Sequence, residues 1–348
     1  MAPRSLLIDG LKVLASQLIV LHHVVLYAPM ADLVAPAWPV ARAFLLDEAR
    51  YVVQVFLVIG GYLAARGLAR GSVSLPRSLL SRYLRLVPML AVALLAVLAA
   101  SALLPPGRWP DWVTPWPGVG AFVAHLLLLQ DVLAVPSLSA GAWYVAVDFQ
   151  LHALLAAGTA LLHRRADRPV WQSPLPWAVA LLALASLFAF NREATLDIWA
   201  PYFFAAYGLG ALAAWAGCSR VLAGLFALLC ALYLADALLA ARPRTGLAAM
   251  TALALALWAA RGALQRPLRR WLAYWSDVSY GVFLSHYAVI VAATALWLRL
   301  GLQGKAAAWA LLLGCWAASL AAGALLQRWV GAPLARQPWT GPGRIGAR

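Results

Sequence analysis

The sequence predicts an all-α polytopic membrane protein: about ten transmembrane helices plus a re-entrant or interfacial segment, with both termini cytoplasmic. Three observations carry that prediction. The 348 residues are 64% apolar and only 11% charged, a balance foreign to a soluble chain of this length. Apolar runs near 20 residues recur throughout, each about what a helix needs to cross ~30 Å of hydrocarbon. Basic residues also gather in alternate loops, which orients the spans.

Taken in order, the first run is 11–31. It is interrupted early by Asp9 and Lys12 and stays apolar past Tyr27, so it reads as a retained helix rather than a cleaved signal. Spans follow near 50–68 and 86–104, with the basic group Arg66 to Arg85 between them. The stretch "VGAFVAHLLLLQDVLAV" (119–135) is short, carries His125, Gln130 and Asp131, and lies between Pro-rich loops. The remaining runs are 142–162, 177–190, 197–216, 221–240, 246–260, 274–298 and 306–330. The groups Arg164 to Arg168 and Arg261 to Arg270 fall in loops on the same side as Arg66 to Arg85.

Charge decides the role of 119–135. If it dips in and out, most of the 27 Lys and Arg lie on the cytoplasmic side; if it crosses, fewer than half do. The positive-inside bias selects the first arrangement. The net charge of +15 then reflects topology anchors that touch anionic lipid headgroups. Because these basic groups are split among short loops, nucleic acid is not an expected partner; the lipid bilayer is. Residues 1–336 read as one transmembrane domain and 337–348 as a cytoplasmic tail. Three Cys residues inside apolar runs suggest small buried side chains, not disulfides or a metal site.

Several spans hold residues that a bilayer disfavours. "LKVLASQLIVLHHVVLYAP" (11–29) carries Lys12 near its start and His22 and His23 in its middle. Ionisable groups at such depth cost a few kcal/mol each, about 2.5–3.5 on insertion scales, and default to function. By helical rise His23 lies roughly 16 Å beyond Lys12. His22 and His23 differ by ~100° in direction, so one of them can be a packing histidine. "SRYLRLVP" (81–88) sets Arg82 and Arg85 three apart, on one helical face, where guanidiniums suit a phosphate ligand and equally suit topology anchoring.

"GAWYVAVDFQLHALL" (141–155) places Asp148 and His152 at i, i+4. That spacing reads either as a carboxylate tuning an imidazole or as an interhelical polar clamp. "DVSYGVFLSHYAVI" (277–290) sets His286 mid-span, with Ser279 and Tyr280 one to two turns earlier. His23 and His286 then sit at a similar depth and suggest a shared polar cavity.

Together these segments resemble the acyltransferase-3 family of integral membrane acyltransferases. The family's Arg-x10-His pair is matched by Lys12 and His23, which singles out His23 over His22. Its F-F-V-L-S-G-F-L segment resembles "FLVIGGYL" (56–63), and its Arg-x-x-R resembles Arg82 and Arg85. Its W-S-L-x-V-E-x-Q-F-Y helix resembles Trp143 to His152, and its S-Y-x-x-Y-L-x-H segment resembles Ser279 to His286. This chain departs from the pattern with Lys12 for Arg, Gly60 for Ser, Asp148 for Glu and His152 for Tyr.

The resemblance implies transfer of an acyl group, usually acetyl, from cytoplasmic acyl-CoA to a hydroxyl of a glycan or lipid-linked saccharide at the outer face. It implies a catalytic set of His23, Asp148 and His286, and a donor-binding set of Lys12, Arg82 and Arg85. Tyr280, Ser279, Trp143 and His152 would orient the acceptor. Acetyl-CoA or another acyl-CoA is then a co-substrate, with no bound cofactor and no metal. A bacterial cytoplasmic (inner) membrane is compatible with the Ala-rich, Lys-poor composition. The alternative from the buried histidines alone is a proton-coupled transporter or flippase of an anionic or lipid-linked solute, against which the lack of an internal repeat counts.

Overall fold

The structure, a computed structural model, describes residues 5–69, 74–163, 168–260 and 270–337. Parts of the three basic groups and nearly all of the expected tail lie outside them. Among the described residues there is no strand, and ten long helices, joined by loops and short helical turns, make up the fold. They are α1 (Leu6–Tyr27), α2 (Val53–Leu68), α3 (Leu75–Ser101), α5 (Ala142–Leu162) and α6 (Leu175–Phe188), with the short α4 (Val119–Leu126) between α3 and α5. Then come α7 (Ala200–Trp215), α8 (Arg220–Leu239), α9 (Pro243–Ala260), α10 (Arg270–Arg299) and α11 (Lys305–Leu326).

Each expected span coincides with one long helix. Eight helical stretches are long and apolar enough to cross a membrane; α7, with 16 residues, and α9 are outside that number. The protein is thus an all-α polytopic membrane protein. Helix α3 begins at Leu75, eleven residues ahead of the expected 86, because its first turns are polar and carry no hydropathy signal. Before α2, residues 39–52 wind through short helical turns that continue into it. The third expectation for cysteine needs one correction: Cys230 and Cys315 are buried, but Cys218 is exposed, because it sits in the turn that ends α7.

Segment 119–135 folds back on itself. Helix α4 has eight residues, ~12 Å at the helical rise, too short to cross, and tight turns follow with positive φ at Leu128 and Ala134. Fully buried His125 ties it together, donating from Nδ1 to the Ala121 carbonyl (2.8 Å) and accepting from the Leu138 N–H (3.1 Å). Burial lowers the His125 pKa from its ordinary value.

Two helices act as hubs. Helix α7 packs on α2, α6, α9, α5 and α8, and α10 packs on α11, α1 and α3. Buried on nearly every side, α7 shows no one-faced hydrophobic pattern. Each hub's tightest contact is made by reciprocal glycines. A Cβ on Gly61 would overlap the Tyr207 carbonyl, and one on Gly210 would overlap the Val58 carbonyl. Gly281 and Gly323 stand in the same relation between α10 and α11. In lipid, where apolar contact alone gives little selectivity, such small-residue crossings let backbones approach closely.

Gly61→Ala and Gly210→Ala should therefore each destabilise the protein by about 1–3 kcal/mol through overpacking. Gly224→Ala, whose added Cβ meets nothing within 4 Å, should be neutral or slightly stabilising. Thermal unfolding in detergent, followed by size-exclusion fluorescence, checks this; equal midpoints for all three variants would dismiss the close-crossing account.

Candidate functional site

His23 and His286 are both buried and meet directly, Nδ1 of His23 lying 2.7 Å from Nε2 of His286, with the rings stacked at 4.9 Å. The second nitrogen of His286 lies 2.7 Å from the Phe283 carbonyl. A carbonyl only accepts, so His286 Nδ1 carries a proton; in the neutral ring its Nε2 then accepts. His23 Nδ1 must be the donor of the bond between the rings, and His23 Nε2 is left with its lone pair. A backbone carbonyl thus sets the tautomer of a histidine on another helix through the intervening imidazole.

His22 is engaged separately. Its Nδ1 donates to the Leu45 carbonyl at 2.7 Å, which ties α1 to the turns before α2. Both histidines line a cavity of about 720 Å³ together with Arg50, Tyr51, Gln54, Asp131, Trp143, Asp197, Tyr202, Phe203, Arg244 and Phe283. These residues come from the C-terminal half of α1, the N-terminal ends of α2, α5, α7 and α9, the loops beside them, and the middle of α10 at Phe283. The cavity therefore opens at the end of the bundle that holds the α1–α2 loop. One wall is aromatic: Trp143 packs on Phe203 at 5.5 Å and Phe203 on Tyr202 at 4.8 Å between ring centres.

Polar bonds make that end rigid. Gln150 accepts from the Ala200 N–H at 2.9 Å and donates to the Ile198 carbonyl at 3.3 Å, capping α7. Buried Asp236 takes Arg192 at 2.5 Å and Arg242 at 3.0 Å, and Arg242 also holds Asn191 through its carbonyl and side-chain oxygens. Burial pushes the Asp131 carboxyl up from its ordinary pKa, despite a bond from Gln130 and the nearby His125.

A second buried centre lies between α3 and α5. Arg82 grips Asp148 with both arms of its guanidinium, Nε to Oδ2 at 3.0 Å and Nη2 to Oδ1 at 2.6 Å. His152, expected beneath Asp148, instead shares its Nε2 with Ser78 Oγ at 3.0 Å. Of the two readings of the Asp148–His152 spacing, the structure carries the interhelical polar clamp, which Asp148 makes not with His152 but with Arg82. Arg85, three residues on, is exposed and forms no hydrogen bond or ion pair among the described residues.

The expected acceptor set is likewise divided. Trp143 lines the cavity; Ser279 bonds back to the Ser276 carbonyl at 2.8 Å, and Tyr280 donates to the Leu86 carbonyl at 3.3 Å. His286 also stays off the cavity surface, being 0% exposed behind His23. Lys12 is half-buried toward the other end of α1. The cavity residues that sequence reasoning missed are mostly in loops. Arg50, Arg242 and Arg244 carried a signal, as basic residues on the side where the charge bias places few.

Among known proteins, a family model described as an acyltransferase domain, that of the acyltransferase-3 family, matches residues 6–327. No curated protein and no solved structure matches the chain.

The Arg82–Asp148 pair yields a stability prediction. Asp148→Asn leaves a guanidinium, 22% exposed, without its counter-charge, and should cost about 3–5 kcal/mol. The double variant Arg82→Met/Asp148→Leu should recover much of that loss. Detergent unfolding midpoints of the three proteins check it, and a double variant no better than Asp148→Asn would contradict the pairing.

Proposed function

The chain belongs to the acyltransferase-3 family, and from that premise we propose the finer activity of this membrane acyltransferase. It moves an acyl group, acetyl in the simplest case, from cytoplasmic acyl-CoA to a hydroxyl of a glycan or lipid-linked saccharide at the outer face. The observation that carries this reading is the Phe283–His286–His23 relay, which ends in a lone pair at His23 Nε2.

In the general-base route, the acceptor O–H gives its proton to His23 Nε2 as its oxygen attacks the thioester carbonyl carbon. The positive charge that develops on His23 is supported by its Nδ1–H bond to His286. When the C–S bond breaks, the proton passes to the departing thiolate, giving an ester and free CoA thiol. General-base help of this kind is worth about 10²–10⁴-fold. In the carrier route, Nε2 itself attacks the thioester carbon and expels CoA thiolate; the acceptor oxygen then takes the acyl group as the C–N bond breaks, and the hydroxyl proton goes to the thiolate. Both routes use the same nitrogen. His286 is a positioning residue in either, since its ring touches His23 and not the cavity.

The two sides of the membrane divide the substrates. The cavity that exposes His23 has an aromatic wall and polar rim, suited to stacking a sugar ring and binding its hydroxyls. The positive-inside reading puts that end outside. The donor would arrive from the opposite end, toward which Lys12 and Arg85 lie, while Arg82 is held in the buried centre by Asp148. Buried histidines alone also suited a carrier; the family membership supports transfer chemistry instead.

Purified protein in detergent, given acetyl-CoA and a crude envelope-glycan acceptor, should release free CoA thiol. His23→Ala should slow release by about 10²–10⁴-fold. His286→Ala should slow it by about 10–10²-fold, as loss of orientation does, and His22→Ala should retain activity within a few-fold. Unimpaired release by His23→Ala, or a loss in His22→Ala as deep as in His23→Ala, would defeat this assignment.

A further inference from the structure

The rim of the cavity carries more positive charge than the fold itself uses. Three arginines line it: Arg50, Arg242 and Arg244. Arg242 is committed, its guanidinium held by buried Asp236 and by Asn191. The other two bond only to neutral acceptors. Arg50 donates from Nε to the Asp47 carbonyl at 3.1 Å and lies over the Tyr51 ring at 5.3 Å, which leaves both Nη groups without a partner among the described residues. Arg244 donates to the Tyr202 hydroxyl at 3.1 Å and to the Asn191 carbonyl at 3.0 Å, and sits 5.7 Å over the Tyr202 ring.

The two arginines belong to neighbouring elements. The turn 49–52, which carries Arg50, packs on both α1 and α9, that is, on the helix of His22 and His23 and on the helix of Arg244. Neither acidic residue of the cavity forms an ion pair with Arg50 or Arg244 among the described residues. Asp131 accepts a bond from the Gln130 amide, and burial raises its pKa from the ordinary value although His125 and that bond oppose the shift. Asp197 is the exposed carboxylate there.

We propose that Arg50 and Arg244 form an anion subsite for the acceptor, taking a carboxylate or phosphate group on the saccharide while a hydroxyl of the same molecule reaches His23. Guanidiniums whose present partners are neutral can form charge-assisted, two-armed bonds to either group. Their aromatic neighbours Tyr51, Tyr202, Phe203 and Trp143 would hold the apolar face of the ring. The acceptor class is then an acidic saccharide or a sugar phosphate, not a neutral sugar. This inference rests on the proposed acceptor side of the reaction, but it concerns binding rather than transfer.

Binding of three probes to the full-length protein in detergent tests it: glucose, glucuronate and glucose 1-phosphate, titrated by calorimetry at low salt without any acyl-CoA. At least one anionic sugar should bind about tenfold or more tightly than glucose, the scale of one charged hydrogen-bond pair. Which of the two binds better separates carboxylate from phosphate as the source. Arg50→Gln and Arg244→Gln should each bring the preference close to one, whereas Arg108→Gln, at an exposed arginine that does not line the cavity, should leave it intact. Equal binding of the three probes, no measurable binding of any, or a preference lost with Arg108→Gln but kept in the rim variants would overturn the subsite. Because no donor is present, transfer activity can fail while the preference stands, and the preference can fail while transfer stands. A folding check by detergent unfolding midpoint accompanies each variant.

Discussion

The hydrogen bond between His23 and His286 is the constraint on which the rest of the site depends. It joins residues 263 apart in the chain and only forms if α1 and α10 lie side by side at one register. A second bond fixes that register, with Ser276 Oγ donating to Asp9 Oδ1 at 2.5 Å. Asp9 precedes His23 as Ser276 precedes His286, so the two helices run parallel. A bilayer has no water to satisfy either group, and a register slip would leave a carboxylate and two imidazoles facing hydrocarbon. The polar pairs thus specify the packing that apolar contact in lipid leaves loose.

The centre between α3 and α5 shows how departures from a family pattern can be coupled in space. Gly60 stands where the family has Ser, and Asp148 where it has Glu. Structurally these are neighbours: a Cβ on Gly60 would lie 3.3 Å from the Tyr207 ring and 3.8 Å from Asp148 Oδ1. A serine at 60 would put a hydroxyl beside the carboxylate. Here Asp148 has no such neighbour, and both its oxygens go to Arg82. The shorter acid and the smaller helix residue leave the arginine as the group that satisfies the charge.

The helices were legible because each membrane span must satisfy its own backbone bonds within one local run. That signal is strong even for α7, whose all-round burial erases any one-faced pattern. The meeting of His23 with His286 was legible through their common depth. The partner of a polar residue was not legible. Asp148 read either as the partner of His152, four residues on, or as an interhelical clamp, and the partner that closes the clamp lies 66 residues away. The first polar turns of α3 hid that partner, since hydropathy marks where a helix is greasy and not where it begins. The cavity was illegible for a related reason: six helices and several loops each contribute a few residues, and no segment carries the set.

The arginines on the cavity side divide according to what answers their charge. Arg192 and Arg242 converge on Asp236, whose carboxylate is 2% exposed. Together they lock the start of α9 to the loop that leads into α7. Removing Arg192, which does not line the cavity, would loosen the walls without changing the charge that faces it. Arg50 and Arg244 have only carbonyls, a hydroxyl and aromatic faces, so their charge remains directed at whatever enters. In the positive-inside arrangement both lie on the face that the bias disfavours. The proposed anion would give them a use there, and the Asp236 cluster beside them holds the wall of the cavity before any ligand binds.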